Sequence, residues 1–271
     1  MSNFFQKHIF LPQDHGSWVF VFSPIFAGLF ISGRLAFDQF GIILAAISFF
    51  LVRQPLTVIV KVYSGRRDDK DLAPAIFWCL IYGFVFLCSL GLLIYFQQTY
   101  VIAVMALPAV GMLAWQFVLV VRRNERKQKL FEVLSTGLLA FIAAAILWVG
   151  KSPFDTEGLV LWLLLFLQSA ASIFYAYTRL EQRVWKGTKP LFERVAVSAS
   201  TLLFTLVNLI FCVMLGHFDW ANTYLWLAFC VQFLETIHSL YNPATGYKPT
   251  HIGFRQTIVS ALFLVLLIIF W

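Results

Sequence analysis

Long apolar runs, each close to membrane-spanning length and separated by short polar punctuation, make up almost the whole chain. Nine such runs can be placed, at about 17–36, 40–62, 74–96, 100–121, 130–149, 157–178, 196–215, 220–240 and 254–271. Each holds near 20 mostly apolar residues, the length an α-helix needs to cross a bilayer. Turn formers and charges such as Gly33-Arg34, Asp155-Thr-Glu-Gly158 and Gly216-His-Phe-Asp219 separate them. The pattern predicts an all-α polytopic membrane protein with about nine transmembrane helices. No polar stretch is long enough for a separate soluble fold, so residues 1–271 read as a single transmembrane helical domain.

Composition agrees. The chain is 61% hydrophobic and 12% charged, where soluble proteins hold about 45–50% and about 25%. Basic residues fall almost wholly on one side of the predicted spans. Only Arg34 and Lys151 of the 20 lie on the other, with Arg53 counted at its span's nearer end. By the positive-inside rule the N-terminus is inside and Trp271 is outside; the expected location is the cell (inner or cytoplasmic) membrane. The net charge of +7 follows from this placement, so no nucleic-acid partner is expected and membrane lipids are. Cys79, Cys88, Cys212 and Cys230 lie in apolar runs without metal or redox spacing and read as buried small hydrophobes. The opening residues lack the pattern of a cleaved signal peptide.

Several polar residues interrupt this plan. Tyr175, Arg179 and Arg183 are spaced four apart, on one face of a helix, with Lys186, Gly187 and Lys189 in its exit loop. Arg53, Thr57 and Lys61 repeat the spacing on the second span. An arginine that deep faces the bundle interior or snorkels outward. The basic stripe reads as an anion site or only as a cytoplasmic anchor; on the first reading Arg53, Lys61, Tyr175, Arg179, Arg183, Lys189 and His238 are candidate substrate-binding residues.

Glu132 opens the fifth span, and Glu235 lies three residues before His238 on the eighth, with Gln232 one turn earlier. Either carboxylate reads as a catalytic candidate at depth or as a counter-ion for nearby arginines. His15, beside Asp14 in Asp14-His15-Gly16-Ser17-Trp18, reads either as a substrate-facing group or as part of a helix cap with an aromatic belt. Pro24 and Gly28 permit a kink or a tight helix contact. Asp68, Asp69 and Asp71 are weak metal candidates in a mixed-charge loop that reads equally as solvated. The stretch Asn242–Arg255 reads as an ordered cap over the inner face.

The run Asp14-His15-Gly16-Ser17-Trp18, then Pro24 and Gly28, then Arg53-Gln54-Pro55-Leu56, resembles the YwiC-like family of bacterial membrane proteins. The architecture also resembles the UbiA-type intramembrane prenyltransferases, whose magnesium ions bind a prenyl diphosphate through two aspartate motifs. Tyr175-Ala176, Gly187 and Lys189 are similar to the second motif, but Arg179 and Arg183 stand where its aspartates would be. The first motif falls near Val60, Lys61, Ser64 and Asp68, and Arg122-Arg123 resembles a family Lys-Arg pair. The resemblance implies a UbiA-like bundle and an isoprenoid or quinone-type lipid ligand with a diphosphate head group. The replacements imply a direct cationic site for that head group, with no cofactor required and magnesium doubtful. Prenyl transfer, transport of a small anion, and membrane assembly without a small ligand remain open alternatives.

Overall fold

The computed structural model describes residues 4–12, 15–96, 98–124, 128–149 and 154–271. Among them the chain is all-helical, as a lipid environment demands: in hydrocarbon every backbone N–H and C=O must be satisfied within the protein. The helices are α1 (Lys7–Phe10), α2 (Val19–Ser32), α3 (Phe37–Tyr63), α4 (Leu72–Tyr95), α5 (Thr99–Val121), α6 (Lys129–Trp148), α7 (Thr156–Gln182), α8 (Leu191–His217), α9 (Trp226–Tyr241) and α10 (Pro249–Ile269). Each of the nine predicted runs overlaps one of α2 to α10. Among the described residues, six helices are long and apolar enough to cross a membrane by length and composition: α3, α4 with the short turn before it, α6, α7, α8 and α10. The protein is an integral membrane protein.

The chain divides into two compact units, Met1–Trp162 and Leu163–Trp271, with the boundary inside α7. In the first unit, Val21, Ile25, Ile42, Phe50, Leu93, Ile142, Ala145, Ile146 and Val149 form a buried cluster. Small residues bring α2 against α6: a Cβ built on Gly28 would meet the Ile146 Cβ at 2.9 Å and the Ala143 carbonyl oxygen at 3.1 Å. Gly28 is therefore a true close approach, as its sequence context suggested. At the far end of α3, Gln54 Nε2 donates to the His8 carbonyl (2.9 Å) and Tyr82 Oη donates to that of Phe10 (2.9 Å), pinning α1 over α3 and α4.

The second unit buries polar stripes as well as apolar ones. Ser198, Thr201, Thr205 and Asn208 are buried along one face of α8, and Thr178 on α7 meets Thr201 at 2.8 Å. The α9–α10 connection is tied to the end of α7: Ala244 N donates to Gln182 Oε1 (3.2 Å) and Gly246 N to the Arg183 carbonyl (3.2 Å). Gly246 has φ +74°, a left-handed turn that glycine adopts without steric cost. Of the expected cap Asn242–Arg255, residues 242–248 form this hydrogen-bonded loop, and Pro249 onward is the start of α10.

Candidate functional site

The second unit contains a cavity of about 240 Å³ lined by Tyr175, Arg179, Tyr247, His251, Ile252, Phe254, Arg255 and Ile258. Tyr175 and Arg179 come from one face of α7, as their spacing predicts, and both are about 1% exposed. Nη1 of Arg179 donates to Gln182 Oε1 (2.9 Å) and to the Asn242 carbonyl (2.7 Å). Its guanidinium carbon lies 5.7 Å from the Tyr175 ring centroid and 5.8 Å from that of Tyr247, within cation–π range. Among the described residues no carboxylate pairs with Arg179, and of its nitrogens only Nη1 is hydrogen-bonded. A buried charge without a counter-ion is costly.

Behind the cavity wall is a paired charge. Glu235 on α9 receives the Tyr175 phenol and both Nε and Nη2 of Arg255, at 2.5 and 2.9 Å. Nη2 also lies 2.8 Å from His238 Nδ1. A guanidinium can only donate, so Nδ1 accepts and the ring proton sits on Nε2, where the Asn242 carboxamide 2.9 Å away receives it with its oxygen, not its nitrogen, turned to the ring. Two guanidinium charges against one carboxylate leave a single net positive charge, with His251 counted neutral. The opposite wall is apolar: Ile252 is buried, while Phe254 and Ile258 of α10 expose much of their surface.

The remaining sequence candidates lie elsewhere. Arg183 does not continue the α7 stripe inward, because α7 ends at Gln182; it is exposed and does not line the cavity. Lys189 pairs with Glu193 at 3.3 Å and lies over the Trp185 ring. Arg53, Lys61 and Glu132 belong to the first unit, each half-buried. Arg53 sits over the Phe50 ring, and its carbonyl accepts the Thr57 hydroxyl at 2.7 Å. His15 opens a single 3-10 turn; its side chain, like Asp14, lies outside the described residues, as do Arg126, Lys127 and Lys151.

The acidic loop is split among partners. Asp68 binds Lys70 at 2.6 Å, and that hydrogen bond and charge hold its carboxyl below the usual range. Asp71 instead faces Arg67 at 3.3 Å and His8 at 4.0 Å, while Asp69 is exposed. No cluster of three or more potential metal ligands forms among the described residues.

Sequence reasoning missed Arg255 and Tyr247 as members of the site. Arg255 looks like one more inside-loop charge, yet α10 begins at Pro249, which places Arg255 on its second turn. The earlier start is legible in hindsight, since proline favours the first helical position.

A family model of YwiC-like proteins matches residues 11–147, just over half of the chain. The chain belongs to the YwiC-like family. The match covers α2 to α6 almost entirely and stops before α7, so every cavity residue of this YwiC-like protein lies beyond it. Comparisons with curated proteins and with solved structures give no significant match.

Proposed function

We propose that this YwiC-like protein binds the anionic head group of an isoprenoid-type lipid in the cavity of its second unit. The observation that carries the reading is Arg179: buried, without a carboxylate partner among the described residues, and with nitrogens left for a ligand. Arg255, already held by Glu235, offers a second positive edge. The partly exposed Phe254 and Ile258 supply an apolar wall for a chain, as an amphiphile requires. Cation and apolar wall together distinguish this reading from a bare phosphate site. The proposal keeps the UbiA-like bundle of nine spans, with the N-terminus inside and the cavity on the cytoplasmic side.

The charge of the site refines the head group. One net positive charge matches a monophosphate or phosphodiester better than a diphosphate, since Arg183 and Lys189 lie outside the cavity lining. No metal is needed for arginine to hold a phosphate oxygen. Any covalent chemistry at this site remains part of the proposal and rests on binding first.

The test is thermal denaturation of the purified protein in detergent with geranylgeranyl monophosphate, geranylgeranyl diphosphate and inorganic phosphate, each with and without EDTA. A ligand that binds only the folded state raises the midpoint. The expected result is a rise with the prenyl phosphates, larger for the monophosphate, that survives EDTA and disappears in Arg179→Gln. An equal rise with inorganic phosphate favours a small-anion site, as a transporter would have. No rise with either prenyl phosphate sinks the proposal.

A further inference from the structure

One turn deeper than the ionic cluster, three carboxamides from three helices converge. Gln168 of α7, Gln232 of α9 and Gln256 of α10 are 4%, 1% and 8% exposed, and Ser172 of α7 is 1% exposed. Nε2 of Gln168 and of Gln256 both donate to Gln232 Oε1, at 3.2 and 2.7 Å. Gln256 Nε2 also donates to Ser172 Oγ at 2.7 Å. This leaves Gln168 Oε1, Gln232 Nε2 and Gln256 Oε1 buried without a partner among the described residues. Native proteins leave few such atoms, and three in one cluster point to a ligand.

The orientation of the amides does not change this conclusion. Oxygen and nitrogen of a carboxamide are assigned from the hydrogen-bond network. Turning Gln232 alone would set N–H groups against N–H groups. Turning all three makes Gln232 Nε2 the donor to two oxygens, and then Gln168 Nε2, Gln232 Oε1 and Gln256 Nε2 lack partners. In both arrangements at least one donor and one acceptor are unsatisfied. The complement is therefore amphiprotic. None of the four side chains carries a charge, so the complement is also neutral.

We propose that Gln168, Gln232, Gln256 and Ser172 form a binding site for a neutral hydroxyl oxygen, either an ordered water or the hydroxyl of an amphiphile. Gln168 stands near the middle of the 27-residue α7, roughly 20 Å from either end at about 1.5 Å per residue. The site is thus at mid-span, where water is scarce and a hydroxyl gains most from ready partners. It is continuous with the charged cavity through sequence: Ser172 precedes Tyr175 by one turn, Gln232 precedes Glu235 by one turn, and Gln256 follows Arg255. The inference does not rest on the anionic head-group reading, because none of its residues lines that cavity.

Two measurements on the full-length protein test it. The first is an experimental structure at a resolution that shows ordered water. It should reveal non-protein density within hydrogen-bond distance of the Gln232 carboxamide and of Gln168 or Gln256. The second is thermal denaturation with 1-dodecanol against dodecane, for wild type, Gln232→Leu and Gln256→Leu. A midpoint raised by the alcohol and not the alkane, and lost in either folded variant, identifies a hydroxyl-bearing amphiphile. Density without any alcohol effect identifies water. A cluster that holds no density, with no preference for alcohol over alkane, overturns the proposal. Arg179→Gln should leave both readouts unchanged, so failure of the head-group reading and failure of this one are separable.

Discussion

Arg255 grips Glu235 through two nitrogens, and the carboxylate oxygen that meets its Nε also receives the Tyr175 phenol. This joins α7, α9 and α10 at one charged point. It also fixes the cavity's charge, since Glu235 cancels Arg255 and leaves Arg179 unopposed. Glu235→Gln should therefore do two things. It should cost about 1–3 kcal/mol, the range for breaking a charge-assisted pair that keeps some solvent contact, read as a lower melting midpoint. It should also raise the cavity's net charge and favour geranylgeranyl diphosphate over the monophosphate. A variant that melts lower with its ligand ranking unchanged would show that the cavity charge does not select the head group.

Gln182 holds the loop after α9. Its fully buried side-chain oxygen accepts from both Arg179 Nη1 and Ala244 N. Gln182→Ala removes both acceptances, at about 1–2 kcal/mol. Hydrogen exchange should speed up at Ala244 and Gly246 and stay constant across α2 to α6. Uniform acceleration through the chain would mean instead that Gln182 supports the fold as a whole.

Two glycine substitutions should have opposite signs. Alanine is preferred over glycine in a helix by about 1 kcal/mol, so only the available space decides the outcome. Gly83→Ala meets nothing within 4 Å and should be neutral or raise the midpoint slightly. Gly28→Ala drives a methyl into Ile146 and the Ala143 carbonyl and should cost about 1–3 kcal/mol, as overpacking does. Equal effects at the two positions would refute the tight contact between α2 and α6.

Orientation is open to a direct check. Fluorescent-protein fusions that mature only in the cytoplasm should glow when placed after Arg123 and stay dark after Trp271. The reverse pattern would turn the cavity to the outer side of the membrane.

Much of the helical plan was legible in the chain, because apolar runs near 20 residues long admit little else in lipid. Helix ends were less so. The predicted sixth run stops at 178, yet α7 continues to Gln182 because Thr178, Arg179 and Gln182 all find buried partners. Hydropathy counts such residues as polar and closes the span too early. The same blindness hid the carboxamide cluster, since Gln168 and Gln256 each look like an isolated polar residue until three helices bring them together. The Tyr175–Arg179 face was readable from spacing alone. Arg183 was not separable from it, because nothing in the periodicity marks where α7 stops.

Arg179 has its carbonyl partner at Asn242 and one of its two aromatic flanks at Tyr247, both made by the ribosome more than sixty residues later. While α8 and α9 are being synthesised, this guanidinium has only its own helix for company. The cavity is therefore among the last features of the protein to form, and a chain released before α10 would keep most of its helices and lack it.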